Sequence, residues 1–442
     1  MTGERRKGLA LALAGALLGT GLGLIPAGWG LEERFGLPLL YALRGDRAPP
    51  PAVTVVAMDE ASAEALGLAS GRTDWPRALH ARLLRRLAAF EPAAVVFDVH
   101  FDDRPHRRDT AELAAAVRAA GNVILFSYTE TERVPLPDGR FVLQERHLPP
   151  TAALADAALA TAPFVLPKNP LGVRRYWTFK PSAGDAPTLP VVAWHRYLLA
   201  TGALTPARLE ALCPGAATAE TGPERDLSAY VQALHRRLNE PGACGAADIT
   251  APLGALARLH RGPPTRYLNL YGPPGTLPML PYRRLVGDVT PAAADTLAAA
   301  VRGRVVFVGY AEGASWEQKD AFVTAFSDAY GGFDLSGVEL AATAFANLVD
   351  DSALTPLPVG LQAALLAAWG LVTGLVSRRL GPRGALAANG AMAAALVMAA
   401  GWLFGHGHLW LPLAPPLGLL TPLMLGAGLV GRHIEVSGER RA

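Results

Sequence analysis

Cysteine is nearly absent from this chain: there are two, Cys213 and Cys244, in 442 residues. That excludes a disulfide-dense scaffold. Neither cysteine sits in a C-x-x-C or Cys/His cluster, so no metal site is expected from them. Charge is also sparse, at 18% Asp, Glu, Lys and Arg with a formal net charge of +3. So small an excess gives no electrostatic footprint for nucleic acid. Catalytic signatures are missing too: there is no P-loop, no G-x-S-x-G elbow, no H-E-x-x-H pair and no kinase set. The chain is therefore not expected to be an enzyme, and no cofactor is expected.

What is present is hydrophobic length. Residues 9–25, 359–376, 385–404 and 409–430 are free of Asp, Glu, Lys and Arg. At 1.5 Å per residue, roughly 20 apolar residues cross a hydrocarbon core of about 30 Å. The last run contains Pro412, Pro415, Pro416 and Pro422, which predicts a kinked or late-starting helix. Arg5, Arg6 and Lys7 precede the first run; Arg378, Arg379 and Arg383 lie between the second and third; Arg432, Arg440 and Arg441 follow the fourth. The short turn 405–408 has no Lys or Arg. By the positive-inside rule this gives a cytoplasmic start over 1–8 and a first span over 9–28. An extracytoplasmic domain follows over 29–357, then spans over 358–377, 385–404 and 409–430 and a short cytoplasmic tail over 431–442. The protein is thus expected in the inner (plasma) membrane, with the bilayer as a partner. A cleaved signal peptide is the other reading of the first run, but no clear A-x-A site follows it.

Within the outer segment the pattern is α/β. Residues 53–58 form a β-branched run ending at Asp59, and residues 79–90 place Leu79, Leu83, Leu84 and Leu87 at helical spacing. Strand 94–99, helix 110–119 and strand 122–127 follow. This alternation predicts a mostly parallel sheet with flanking helices, beside a helical membrane region of four spans. Further on, strands are expected at 266–271 and 304–309 and a helix at 338–348. Residues 130–265 carry a weaker signal, with a helix expected on an exposed face at 227–238. Cys213 and Cys244 fall on the same side of the membrane, where an oxidising compartment permits a disulfide; two unrelated thiols is the alternative.

The candidate site follows from the sheet. Asp59 and Asp98 each end a predicted parallel strand, and open α/β sheets bind ligands at the carboxyl ends of their strands. With Glu60, His100, Asp102 and Asp320 they can line a polar pocket for a small ligand or a hard cation. The alternative is that Asp59 and Asp98 cap the turns or helices that follow. Trp75 and Arg77 flank Pro76, either covering a pocket or packing at a helix start. His100, His106, Asp102, Asp103 and Asp109 form a cluster of mixed charge, most simply a solvated loop.

Several stretches together resemble a known family. They are Val53 to Asp59 with Glu60, Trp75-Pro76-Arg77, and the run Val95-Val96-Phe97-Asp98-Val99-His100-Phe101. Asn269-Leu270-Tyr271-Gly272-Pro273-Pro274-Gly275 is similar to an N-x-x-G-P-P-G turn, and Gly303-Arg304-Val305-Val306-Phe307-Val308-Gly309 to a G-K-x-V-x-V-G strand. Gly337-Val338-Glu339 through Asn347-Leu348 resembles a G-V-E-x-H-A-x-A-x-x-N-L helix. In this order, with three spans after them, they resemble the second-type CHASE domain, the extracellular sensory domain of bacterial cyclases and kinases. The resemblance implies a receptor for an unknown small ligand, working as a homodimer with a cytoplasmic cyclase or kinase output, fused or separate. Ala341 departs from the family's His. Residues 312–332 are longer than its D-x-x-x-T-P connection, with Asp320 and Thr324 as remnants. Only residues 433–442 follow where an output domain would stand. The alternative function is a non-catalytic structural or envelope-assembly membrane protein with a degenerate sensor domain.

Overall fold

The computed structural model describes residues 3–69, 75–102, 109–136, 139–167, 169, 171–215, 222–242, 244, 253–288, 290–312, 321–327 and 334–439. The chain forms two compact units. One is Arg47–Ala353; the other combines Met1–Asp46 with Leu354–Ala442. Residues 29–46, which hydropathy alone assigns to the outer segment, belong to the second unit.

The large unit is built on a mixed sheet. Its strands are β1 (Val53–Met58), β2 (Ala94–Phe97), β3 (Val123–Pro135), β4 (Phe141–Leu148), β5 (Ala160–Pro163), β6 (Met279–Pro281) and β7 (Val305–Tyr310). The order is β6-β1-β7-β2-β3, and every neighbouring pair in it is parallel. The first part of β3 then pairs in parallel with β5, and its second part leaves the sheet as an antiparallel ribbon with β4. β1 and β7 lie inside the sheet and are buried almost throughout; they are largely apolar, as strands covered on both faces are, and the one buried hydroxyl of β1, Thr54, donates to the Ala300 carbonyl.

Alternate side chains feed two cores. Val53, Val55, Ala57, Val96 and Phe307 point to one face; Val56, Met58, Val95, Phe97 and Val308 point to the other. Three short helices of the large unit frame the site: α1 (Glu60–Ala65), α2 (Arg77–Ala88) and α3 (Thr110–Ala120). They are followed by α4 (Leu189–Ala200), α5 (Leu227–Asn239), α6 (Leu253–Arg261), α7 (Pro291–Val301) and α8 (Gly337–Val349). α2, α3 and α7 cover the second face; α4, α5, α6 and α8 cover the first. Burial of one large side chain, such as Phe307 in the first core or Phe97 in the second, contributes roughly 1.5–3 kcal/mol, so both layers are strongly held.

Two expectations are corrected. The strand read at 266–271 is shorter, Thr265–Tyr267, and it pairs antiparallel with Arg175–Trp177 outside the main sheet. The sheet position beside β1 is taken by β6 instead. α5 is amphipathic with its apolar side inward: Leu227, Tyr230, Val231, Leu234 and Leu238 are all buried. Cys213 and Cys244 are joined as a disulfide, with Cα atoms 4.4 Å apart.

Among the described residues, the other unit has four helices long and apolar enough to cross a membrane: Arg6–Leu24, Val359–Arg379, Pro382–Gly407 and Pro415–Ile434. The fourth starts at Pro415, after the short strand Leu409–Trp410, and its first turn, Pro415–Leu420, is π-helical. The first two pack backbone on backbone. A Cβ at Gly15 would overlap the carbonyl of Gly370, one at Gly19 that of Leu366, and one at Gly23 would lie 2.5 Å from the Ala363 Cα. The glycine spacing of four puts all three on one helix face, the small-xxx-small pattern of close helix pairs.

Candidate functional site

Because β1, β7 and β2 are parallel, their carboxyl ends share one edge of the sheet. Asp59 leaves β1 there and Asp98 leaves β2, with the Asp98 N–H donating to the Val308 carbonyl at 2.8 Å. Gly309 of β7 lies between them. A Cβ at Gly309 would sit 2.8 Å from the Val338 Cβ and 3.3 Å from the Asp98 Cβ, so only glycine lets α8 and β2 come this close.

Asp59 has a defined local task. Its Oδ1 accepts from the Ser62 N–H at 2.7 Å and caps α1. The same oxygen lies 3.7 Å from Nη1 of Arg283, which follows β6 at this edge. The Arg283 N–H donates to the Ser62 hydroxyl at 3.1 Å, and Arg283 Nη1 makes no hydrogen bond among the described residues. The Glu60 N–H donates to a carboxylate oxygen of Glu312 at 3.0 Å. The edge therefore gathers two strand-end aspartates, Glu312 and a half-exposed guanidinium. Such a set can meet both an anionic group and hydrogen-bond donors of a small polar molecule. Arg283 and Glu312 were not legible in advance; Arg283 follows a strand too short to read, and Glu312 opens the atypical connection.

The other candidates are elsewhere. Trp75 is 3% exposed and stacks edge-on against Tyr282 at 4.8 Å, so it packs rather than covers a pocket. The Tyr282 hydroxyl is 3.0 Å from His80 Nδ1, and burial pushes its pKa well above the ordinary tyrosine value. Arg77 is buried and donates to the Thr110 hydroxyl and the Asp102 carbonyl, tying the starts of α2 and α3 to the loop after β2. His100 faces the rings of Phe126 and Tyr128 at 6.2 and 6.0 Å, on the β3 side of the edge. Asp320, Asp103 and His106 lie outside the described residues. Among the described residues no group of three His, Cys, Asp or Glu has metal-holding geometry.

The later motifs form a clasp instead of a pocket. The Asn269 N–H donates to the Asn347 side chain at 2.8 Å, and Asn347 Nδ2 returns a bond to the Asn269 carbonyl at 3.0 Å. Asn269 Nδ2 also donates to the Ser352 carbonyl at 2.8 Å. Glu339 accepts from the Gly275 N–H at 2.8 Å with one oxygen and, with the other, from Ser336 in a capping box. Arg47 donates to the Ser352 hydroxyl at 2.8 Å and lies 4.0 Å over the Tyr271 ring, whose hydroxyl donates to Asp350 at 2.8 Å. The two ends of the large unit are thereby fastened to the same turn.

A profile of the CHASE2 domain matches residues 11–375. The chain belongs to the CHASE2 domain family. CHASE2 domains are extracellular sensory modules and are not catalytic, which supports a sensor role for the chain. Comparisons with curated proteins and with solved structures found no match. In this CHASE2 chain the motif residues Asn269, Gly275, Glu339 and Asn347 serve the clasp, whereas Asp59 and Asp98 stand at the carboxyl edge of the sheet.

Proposed function

We propose that this protein is a membrane-bound receptor. The CHASE2 unit takes up a small extracytoplasmic ligand, and the binding event passes across the bilayer to a cyclase or kinase output, fused or separate, with the chain working as a homodimer. The observation that carries this reading is the clasp of Arg47, Tyr271, Asn269 and Ser352. It holds the two ends of the sensor unit together, and each end leads by chain connectivity to one helix of the Gly15-Gly19-Gly23 pair. A rearrangement inside the unit therefore acts on both helices at once.

The carboxyl edge is the ligand site in this reading. Arg283 receives an anionic group, and Asp59, Asp98 and Glu312 receive donors. Binding shifts the receptor only through a difference in affinity between its two states. The test is thermal unfolding of the full chain in lipid nanodiscs against a panel of organic acids, amino acids, sugars and ions. A true ligand at a hundredfold excess over its Kd stabilises by about 2.7 kcal/mol. Asp98→Asn and Arg283→Met should remove that shift while leaving the unliganded transition in place. A panel with no shift at all, or shifts untouched by both variants, would count against this site.

A further inference from the structure

The segment linking the first apolar helix to the large unit is a second membrane element. Ile25 is extended, with φ −95° and ψ 145°, and Pro26 restarts the helix, which runs through a π-turn at Glu32–Gly36 and on to Arg44. At 1.5 Å per residue, residues 26–44 reach about 28 Å.

Three contacts set the course of this segment. At its start, Gly23 lies against Ala363, near the N-terminal end of Val359–Arg379. Midway, the buried Glu32 carboxylate accepts from Trp410 Nε1 at 2.8 Å, the Leu413 N–H at 2.8 Å and the Ala414 N–H at 2.7 Å. Those two amides immediately precede the helix that starts at Pro415, so Glu32 caps its N-terminus. Trp29 meets Trp410 at 4.6 Å beside it. At the far end, Tyr41 meets Phe404 edge-on at 5.1 Å, with Arg44 over both rings. These contacts touch the C-terminal ends of the first and third long helices and the N-terminal ends of the second and fourth. In an up-and-down bundle these are the same end. The segment therefore lies across one end of the bundle, at the level where the apolar helices stop.

One side of the segment is turned into the bundle: Glu32, Gly36, Leu37, Leu40 and Tyr41 are buried. The other side exposes Phe35 at 57%, Leu39 at 40% and Leu43 at 49%, four residues apart. At the segment's start lie the exposed Leu24, which ends the first helix, and the exposed, extended Ile25. Three side chains are far too few for a stable dimer, which buries about 800 Å² and 20–30 residues on each partner. Large apolar residues with arginines beside them, at the level of a bilayer surface, match an interfacial helix.

We propose that residues 26–44 lie in the headgroup–acyl boundary of the bilayer, with Phe35, Leu39 and Leu43 inserted in lipid. This rests on reading the four long helices as spans.

The test places a single nitrobenzoxadiazole label on the full chain in vesicles of phosphatidylcholine with a minor share of phosphatidylglycerol. Nitroxide lipids carry the quencher at a shallow or a deep position. Leu39→Cys is the main site and Phe35→Cys an independent second one. Met398→Cys, an exposed position well inside the third helix, is the control. Labels at 35 and 39 should be quenched about twofold more by the shallow nitroxide than by the deep one, and the label at 398 more by the deep one. Quenching at 398 with none at 35 and 39 overturns the proposal and leaves the spans standing. Disulfide cross-linking of two copies through Leu39→Cys, without quenching, overturns it in favour of a protein partner. Loss of quenching at all three sites sinks the membrane reading and the proposal with it.

Discussion

His195 of α4 and His260 of α6 meet nitrogen to nitrogen in the core of the large unit, with Nε2 atoms 3.0 Å apart. His195 Nδ1 is 2.8 Å from the Val191 carbonyl and so donates to it, which leaves His260 Nε2–H to donate to His195. His235 of α5 stacks on Phe179 at 3.8 Å beside them. The charged groups facing this trio are Asp185, toward His235, and Arg266, toward His260. Burial holds His195 at about 4, His260 well below the usual range and His235 below it. An unfolded histidine titrates near 6.5, so between about pH 6.5 and 4 the unfolded chain binds more protons than the folded one. This stability is complete above about pH 6.5 and is lost as pH falls toward 4, by up to ~1.4 kcal/mol per pH unit for each histidine held neutral. Urea unfolding at descending pH should show it, and His195→Leu should flatten the slope. A midpoint constant from neutral to acid would contradict the assignment. Partners this far apart in the chain are invisible in a sequence. The same holds for Glu32, whose donors lie some 380 residues away. Asn269 and Glu339 stood out as motif residues, yet their role became clear only when α8 brought Asn347 and the Gly275 turn together.

At the scale of elements, legibility follows burial and length. β1, β2 and β7 were readable because strands buried on both faces are continuous apolar runs. β6 has only three residues, too few for any period, and owes its place to parallel pairing with β1. α4 is buried from Leu189 through His195 and again at Leu198, so it shows only a narrow polar face to mark it as a helix. The glycines at 15, 19 and 23 are spaced at helical period in plain view, but composition alone counts them only as apolar length. Their packing makes a sharp prediction. Gly19→Leu drives a side chain into the Leu366 carbonyl, and overpacking of this kind costs about 1–3 kcal/mol or more. Thermal unfolding in nanodiscs should show a lowered transition for Gly19→Leu. Gly21→Leu, where nothing lies within 4 Å, should be silent. Equal effects at the two positions would argue against a close helix pair.

For the whole molecule, the proposed orientation rests on the basic residues flanking the apolar runs. Alkaline phosphatase fused after residue 130 or 407 should be active and after residue 381 inactive; the reverse at 381 would break the four-span order. The clasp then has a mechanical consequence. Because Arg47 and Ser352 are bound to each other, the large unit is closed at its two ends. A pull on those two ends loads the clasp before it reaches the sheet. In the proposed receptor, a unit closed in this way moves its two ends together, which suits a switch better than a dial.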